Sequence, residues 1–153
     1  MIIREATDAD RSFILSLSPT LTEGAKLFWH SDEVVVQFQD RYAAEALDNT
    51  QERQMTLIAE TDGVPAGFII VSESTDEISL EVCAKVPLLA VAKEFHGTGI
   101  AKKLMDEAEK WAKAHGHRLL QLEVFYNNER ARAFYEKQGF HNDTIVMVKP
   151  LED

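Results

Sequence analysis

Apolar side chains recur along the chain with two different periods, and the switches between them divide it into elements. Ile2 to Ala6 reads as a short strand. Thr7 then caps a helix whose apolar face is Phe13, Ile14 and Leu17. Residues 18–29 follow neither period; they hold Pro19, Gly24 and the aromatic pair Phe28-Trp29. Ser31 or Asp32 opens a second helix that reaches about Leu47, with Val34, Val35, Phe38 and Tyr42 predicted on its inner side. Met55–Thr61 and Pro65–Ser72 read as strands around Asp62-Gly63, a pair suited to a turn that needs positive φ at both positions. After a turn at Thr75-Asp76, an extended segment is predicted from Ile78 to Val91. Pro87 inside it has no N–H for a ladder, which implies an edge, a bulge or a break in pairing. Gly99 to His115 is a helix, with Ile100, Leu104, Ala108, Trp111 and Ala112 at helical spacing and Gly116 at its end. Arg118–Phe125 alternates as a strand, Asn128–Lys137 is a helix ended by Gly139, and Thr144–Val148 is a last strand. Antiparallel strands followed by strand-helix-strand make a mixed α/β (α+β) sheet whose late strand pair is parallel. With no repeat, low-complexity tract or linker, residues 1–153 are expected to form a single domain.

Composition narrows the function. The chain has 153 residues, 45% of them hydrophobic, enough for a real core. Sixteen Lys and Arg stand against 26 Asp and Glu, a formal charge of -10. Such a surface repels nucleic acid and attracts cations such as a protonated amine. No apolar run approaches the ~20 residues of a membrane span. The start, Met1-Ile2-Ile3-Arg4-Glu5, has neither the basic head nor the long apolar stretch of a signal peptide. The lone Cys83 allows no disulfide within the chain and fits a reducing compartment, so a cytoplasmic protein is expected.

Two segments carry candidate chemistry. In Ala90-Val91-Ala92-Lys93-Glu94-Phe95-His96-Gly97-Thr98-Gly99-Ile100-Ala101 an apolar strand ends, a loop with glycines follows and an amphipathic helix begins. A helix start offers unpaired N–H groups and the positive end of a dipole, and glycines let main chain approach a ligand, so this pattern suits a pyrophosphate. The same glycines also suit a tight strand-to-helix turn. The loop is neither a Walker loop nor a full Gly-x-Gly-x-x-Gly fingerprint. The second segment, Val124 to Phe140, runs from a strand into a helix opened by Asn128, with Ala131, Phe134 and Tyr135 along it and Gly139-Phe140 at its end. Capping and packing alone also account for that pattern.

Together, these segments resemble the GNAT superfamily of acyl-CoA N-acyltransferases. That family's phosphate loop reads Gln/Arg-x-x-Gly-x-Gly/Ala. Residues 96–101 match it at Gly99 and Ala101 and depart from it at His96. Its later motif, Asn-x-x-Ala-x-x-apolar-Tyr-x-x-x-Gly-Phe, is matched at Asn128, Ala131, Phe134, Tyr135, Gly139 and Phe140. The order of elements from Ile2 onward fits as well. The resemblance implies a mostly antiparallel sheet flanked by helices, with a parallel strand pair splayed around a CoA slot. It implies acetyl-CoA as cosubstrate and N-acetyl transfer to a primary amine by direct attack in a ternary complex. It places the main-chain amides of His96, Gly97, Thr98, Gly99, Ile100 and Ala101 on the pyrophosphate and the backbone of Leu89, Ala90 and Val91 along the pantetheine arm. One donor of that strand would polarise the thioester carbonyl. Asn128 would touch the arm or shape the slot, and Tyr135 would be the general acid toward the leaving thiolate. The general base is left between Glu81 and Glu123. Phe28 and Trp29 are expected to line the amine pocket. Many members dimerise, so a homodimer is among the expected assemblies, although nothing in the sequence marks an interface.

The remaining candidates read as structural. A lone strand cysteine such as Cys83 is usually core rather than nucleophile. Histidines 30, 96, 115, 117 and 141 form no ligand cluster, and no metal is expected. The rival to an enzyme is a non-catalytic acyl-CoA sensor or interaction module, because a fold does not guarantee its chemistry.

Overall fold

A computed structural model describes residues 1–50 and 52–151. Among these residues, β1 (Ile2–Glu5), β2 (Gln54–Thr61), β3 (Val64–Thr75), β4 (Val82–Val91) and β5 (Leu120–Gln121) form one sheet in the order β1-β2-β3-β4-β5. The first three pairings are antiparallel and β4–β5 is parallel. The helices are α1 (Arg11–Ser16), α2 (Asp32–Asp48), α3 (Ile100–Ala114) and α4 (Glu129–Lys137).

The hairpin between β2 and β3 closes on Asp62 and Gly63, with φ of 52° and 76°. This double positive φ is the geometry that a two-residue turn with matched twist requires. The β3 strand then runs through the middle of the molecule and is buried on both faces. Its alternate side chains separate two apolar cores, as a period of two dictates. Ile69 and Val71 join Leu57, Val86, Ile100, Leu104 and Met105 on the α3 side. Phe68 and Ile70 join Ile14, Leu17, Ile58, Leu88 and Ala43 on the side of α1 and α2.

The ladder is interrupted at one place that matters. Ile70 pairs with Leu88 and Ser72 with Lys85, so Val86 and Pro87 together face the single residue Val71. Proline lacks the N–H that a regular ladder would need there, and an extra residue in one strand bends it. On its other edge β4 pairs with β5 only at Ala84↔Leu120 and Lys85↔Gln121. The two strands lose their ladder where the bulge begins.

The structure corrects four expectations. The strand predicted from Ile78 starts at Val82, because Asp76–Glu81 forms a turn: Ser79 N–H donates to Asp76 Oδ2 at 2.7 Å and Leu80 takes a φ of 63°. The α2 helix is phased differently: it buries Val35, Gln39 and Ala43, while Val34 and Phe38 are exposed. Phe38 lies outside, stacked on the half-buried Tyr42 at 5.8 Å. The strand predicted over Arg118–Phe125 keeps only two ladder residues, since its partner turns away. Thr144–Val148 belongs to no strand, because alternation supplies a strand's side chains but not a neighbour to pair with.

A charged knot ties the N-terminal strand to the first helical turn. The Arg4 guanidinium donates to both oxygens of Asp10 at 2.8 Å and to Glu60 at 2.6 Å, and Thr7 N–H donates to Asp10 at 2.8 Å. Asp10 is buried, and its hydrogen bonds from Arg4 outweigh the cost of burial, holding its pKa down to about 2. A carboxylate with a depressed folded-state pKa stabilises the fold above its unfolded value of ~3.9 and loses that contribution as pH falls through the folded value. Asp10→Ala should therefore lower stability by about 3 kcal/mol in urea unfolding at pH 7. The gap to wild type should close between about pH 4 and pH 2.

Candidate active site

The end of β4 leads through a helical turn at Lys93–Phe95 into residues 96–99 and then α3. Phe95 N–H closes on Ala92 O at 2.9 Å and His96 N–H on Lys93 O at 3.2 Å. The chain then reverses through Gly97 (φ 78°) and Gly99 (φ 84°), conformations that cost an L-residue with a Cβ about 1–2 kcal/mol. A Cβ built on either glycine meets nothing within 4 Å. The main-chain N–H groups of residues 97–101 find no acceptor among the described residues, and the internal ladder of α3 begins with Lys103 N–H on Gly99 O at 3.2 Å. Five successive donors are thus left unpaired at the positive end of a long helix, the chemistry of an anion cradle. Gly67 lets the start of α3 sit close to the sheet: a Cβ there would come 2.9 Å from Ala90 O and 3.3 Å from Ile100 Cγ2.

His96 has a structural task. Its Nε2 donates to Val91 O at 2.8 Å, and its Nδ1 then accepts from Arg130 Nη2 at 3.4 Å. This neutral tautomer folds the loop back on the end of β4 and joins it to the first turn of α4. The exposed Arg130 thereby brings a cation beside the cradle. No motif singled out that residue; the only signal was its place two positions after the cap of α4.

Leu89, Ala90 and Val91 pair with β3 at Ile69, Phe68 and Gly67, while their other edge is left without a ladder by the departure of β5. The strand runs on directly into the loop in which the cradle lies. On α4, Asn128 caps the helix, accepting from Ala131 N–H at 3.3 Å. Its amide also packs on Gly24, where a Cβ would stand 2.7 Å from Asn128 Oδ1. Asn127 Nδ2 donates to Lys26 O at 2.5 Å, so the segment between α1 and α2 is fastened to the start of α4. Tyr135, on the same helix, is half-buried against the α3-side core, with its ring 5.8 Å from that of Phe140. Burial pushes its phenol pKa up, so the proton stays on oxygen through the neutral range.

The sequence of the acetyltransferase (GNAT) family matches residues 21–140. The chain belongs to the GNAT acetyltransferase family. By that membership it is an enzyme of the acetyl-CoA-dependent N-acetyltransferase class. It is 28% identical to the uncharacterized N-acetyltransferase YhfO of Bacillus subtilis, over 94% of this chain and 92% of that one. It is 30% identical to an uncharacterized N-acetyltransferase of Methanocaldococcus jannaschii over 58% of this chain, and spans only 40% of that protein's length. A Pyrococcus furiosus protein assigned as an acetyl transferase has the same fold, with a TM-score of 0.79, 23% identity, and 98% and 99% of the two chains covered.

Within the GNAT frame the two candidate bases sit in different places. Glu81 lies in the turn before β4, held by Arg118 and Ser79, and Arg118 lowers its pKa. Some five residues of strand, about 16 Å, separate it from the bulge. Glu123 stands two residues past the last β5 pairing and accepts from Lys85 Nζ at 3.2 Å. Burial alone would lower the Lys85 ammonium pKa, yet Tyr42 and Glu123 hold it above its usual value. Phe28 is 94% exposed and meets Trp29 edge-on at 6.0 Å. An open cleft of about 400 Å³ lies along α2, lined among others by Tyr42, Glu45, Ser72, Lys85 and Pro87. It reaches the bulge from the α2 face. The sequence placed Tyr42 on the inner side of α2 but did not mark this cleft, because Ser72, Lys85 and Pro87 reach it from strands distant in the chain.

The GNAT donor carries a pyrophosphate and an extended amide arm, and the free N–H groups and the unladdered edge of β4 suit both. Gly99→Ala should leave a cooperatively folding protein, destabilised by about 1 kcal/mol, because its Cβ meets no neighbour. In calorimetric titration it should bind acetyl-CoA about tenfold more weakly, by crowding the cradle. Unchanged affinity would detach the loop from cofactor binding.

Proposed function

We propose that this protein moves the acetyl group of acetyl-CoA to a primary amine, on a small molecule or a peptide, by direct attack in a ternary complex. The observation that carries the reading is the coincidence of two features: β4 parts from β5 at the Val86–Pro87 bulge, and the freed edge leads straight into a loop of five unpaired N–H donors. A nucleotide-linked thiol ester needs an anion site at one end and an extended slot at the other, and few arrangements offer both. When bound, acetyl-CoA supplies an activated acyl group.

The chain's own groups divide the remaining work. The amides of residues 97–101 would hold the pyrophosphate, with Arg130 as a nearby cation. The main chain of Leu89–Val91 would bind the arm as a further strand would. Tyr135 keeps a proton on its phenol oxygen, ready to donate to the departing thiolate. An ordinary phenol near pKa 10 already makes transfer to a thiolate near 8.5 uphill, and burial of Tyr135 makes it more so, so a fixed hydrogen bond matters as much as the proton. Glu123 is the carboxylate nearer the parting of the strands, and we assign it to collecting the amine's proton, with water as the carrier. Lys85 fixes its position.

The acceptor would enter by the cleft along α2. Its rim holds Glu45 and Glu52, and the whole molecule carries a formal charge of -10, so a cationic amine is drawn toward it. Phe28 and Trp29 belong to the segment fastened to α4 and offer an apolar surface for the body of such a substrate. A lone buried thiol suits the cytoplasm, where we place the protein.

Release of free CoA thiol with a panel of polyamine, aminoglycoside, amino-acid and peptide amines tests the reading. At least one acceptor should support turnover, and Tyr135→Phe should lower kcat about 10²–10⁴-fold while leaving acetyl-CoA affinity within a factor of a few. Tight acetyl-CoA binding without turnover on any amine would favour the acyl-CoA sensor instead.

A further inference from the structure

The cleft along α2 holds charges of both signs, in two different places. Glu45 and Glu52, at the rim, are exposed. On the sheet stands Lys85, the only cation among the described residues that line the cleft, with a side chain 25% exposed. Ser72 lies directly opposite Lys85 in the β3–β4 register, so the two side chains share one face of the sheet. The Ser72 hydroxyl has no partner among the described residues. An ammonium has three N–H donors. Glu123 takes one at 3.2 Å and the Tyr42 phenol is in reach of a second, which leaves a third for a ligand. The Glu123 side chain is itself 82% exposed, so water competes for its share of the pair. Pro87 lines the same cleft two residues further on, about 6–7 Å along the strand, at the bulge.

A simple amine drawn in by the rim would meet an ammonium beside the place where it must react. A simple carboxylate would be turned away by the rim and by the formal charge of -10. A ligand that carries one charge of each sign, close together, satisfies both places. We propose that the acceptor is a free α-amino acid, whose carboxylate is bound by Lys85 and the Ser72 hydroxyl while its amine is held at the Pro87 bulge. The short separation of Lys85 and Pro87 suits a carboxylate and an amine carried on one carbon. The inference rests on the acetyl-transfer reading and narrows it, and it makes Lys85 the specificity-determining residue. In the reaction the substrate ammonium gives one proton through water to Glu123. The neutral nitrogen then bonds to the acetyl carbon as the carbon–sulfur bond breaks. Its second proton offsets the one that Tyr135 gives to sulfur, so the products are an N-acetyl amino acid, a free thiol and one proton. Once Glu123 is protonated it no longer balances Lys85, and the substrate carboxylate keeps that ammonium paired.

Matched acceptors test it on the wild-type protein. The common amino acids, each as the free acid, the α-amide and the decarboxylated amine, are compared by release of CoA thiol at equal concentrations of free-base amine. For at least one side chain, kcat/KM of the free acid should exceed that of its amide and its amine by about tenfold or more, chiefly through KM, the worth of a charge-assisted hydrogen bond. Lys85→Met should bring that ratio close to one, and Lys85→Arg should restore part of it. Any fall in kcat from a less fixed Glu123 would strike all three acceptors alike and leave the ratio untouched. Circular dichroism and melting check that the variants fold; where one does not, the wild-type series still decides. Acids and amides turned over alike, or amides and amines preferred, would overturn the inference and leave acetyl transfer standing. A preference for acids that survives in folded Lys85→Met would overturn it too. No turnover on these or on polyamine, aminoglycoside and peptide amines would sink the acetyl-transfer reading, and the inference with it.

Discussion

The constraint on which the rest of the molecule depends is that a strand can satisfy only two neighbours, and β4 is made to abandon one. Pro87 cannot donate to a ladder, and the extra residue in the Val86–Pro87 bulge turns the strand just where its pairing with β5 has begun. A sheet that continued across this point would be more regular and would have no free edge inside it. The cost of the interruption is met by the dense pairing on the other side, where β3 holds β4 before and after the bulge and is buried on both faces. Rigidity from β2 and β3 thus makes an opening in the interior tolerable.

Around this opening, local electrostatics run against the global charge. The molecule is strongly acidic, yet the loop after β4 gathers helix-end N–H groups and the Arg130 guanidinium, whereas the cleft on the α2 face carries Glu45 and Glu52. The two regions differ in the sign of the charge they gather. The bulge adjoins the cleft, with Lys85 just before it in β4 and paired to Glu123. The depressed Glu81 carboxylate, by contrast, is occupied by Arg118 and serves the turn in which it sits.

Much of this was legible in the sequence, for reasons that are local. Asp62-Gly63 demands its turn, Pro87 demands an irregular ladder, and the spacing of Ile100, Leu104 and Ala108 gives a helix with one buried face. What stayed hidden depends on partners distant in the chain. The inner line of α2 could not be chosen from its own residues, because Val34 and Phe38 are as apolar as Val35 and Ala43, and only the fit to β3 and β4 selects among them. The site was legible as two motifs but not as one place. That His96 spends its ring on Val91 and Arg130, and that the α2 cleft ends at Pro87, are facts of tertiary geometry with no trace in spacing. Thr144–Val148 has a strand's composition, but whether it is one depends on what lies beside it.

The fastening of Gly24 and Lys26 to Asn128 and Asn127 has a consequence for how such an enzyme can change. Because the segment is pinned near its first half by one bare backbone contact and one amide hydrogen bond, and at its far end by the Ser31 cap of α2, residues 27–30 hang between anchors that make no use of their own side chains. Their identities can drift without loosening the cap of α4 or the loop it braces. Sequence divergence is therefore cheap here, and a single substitution at Gly24 would remove that freedom.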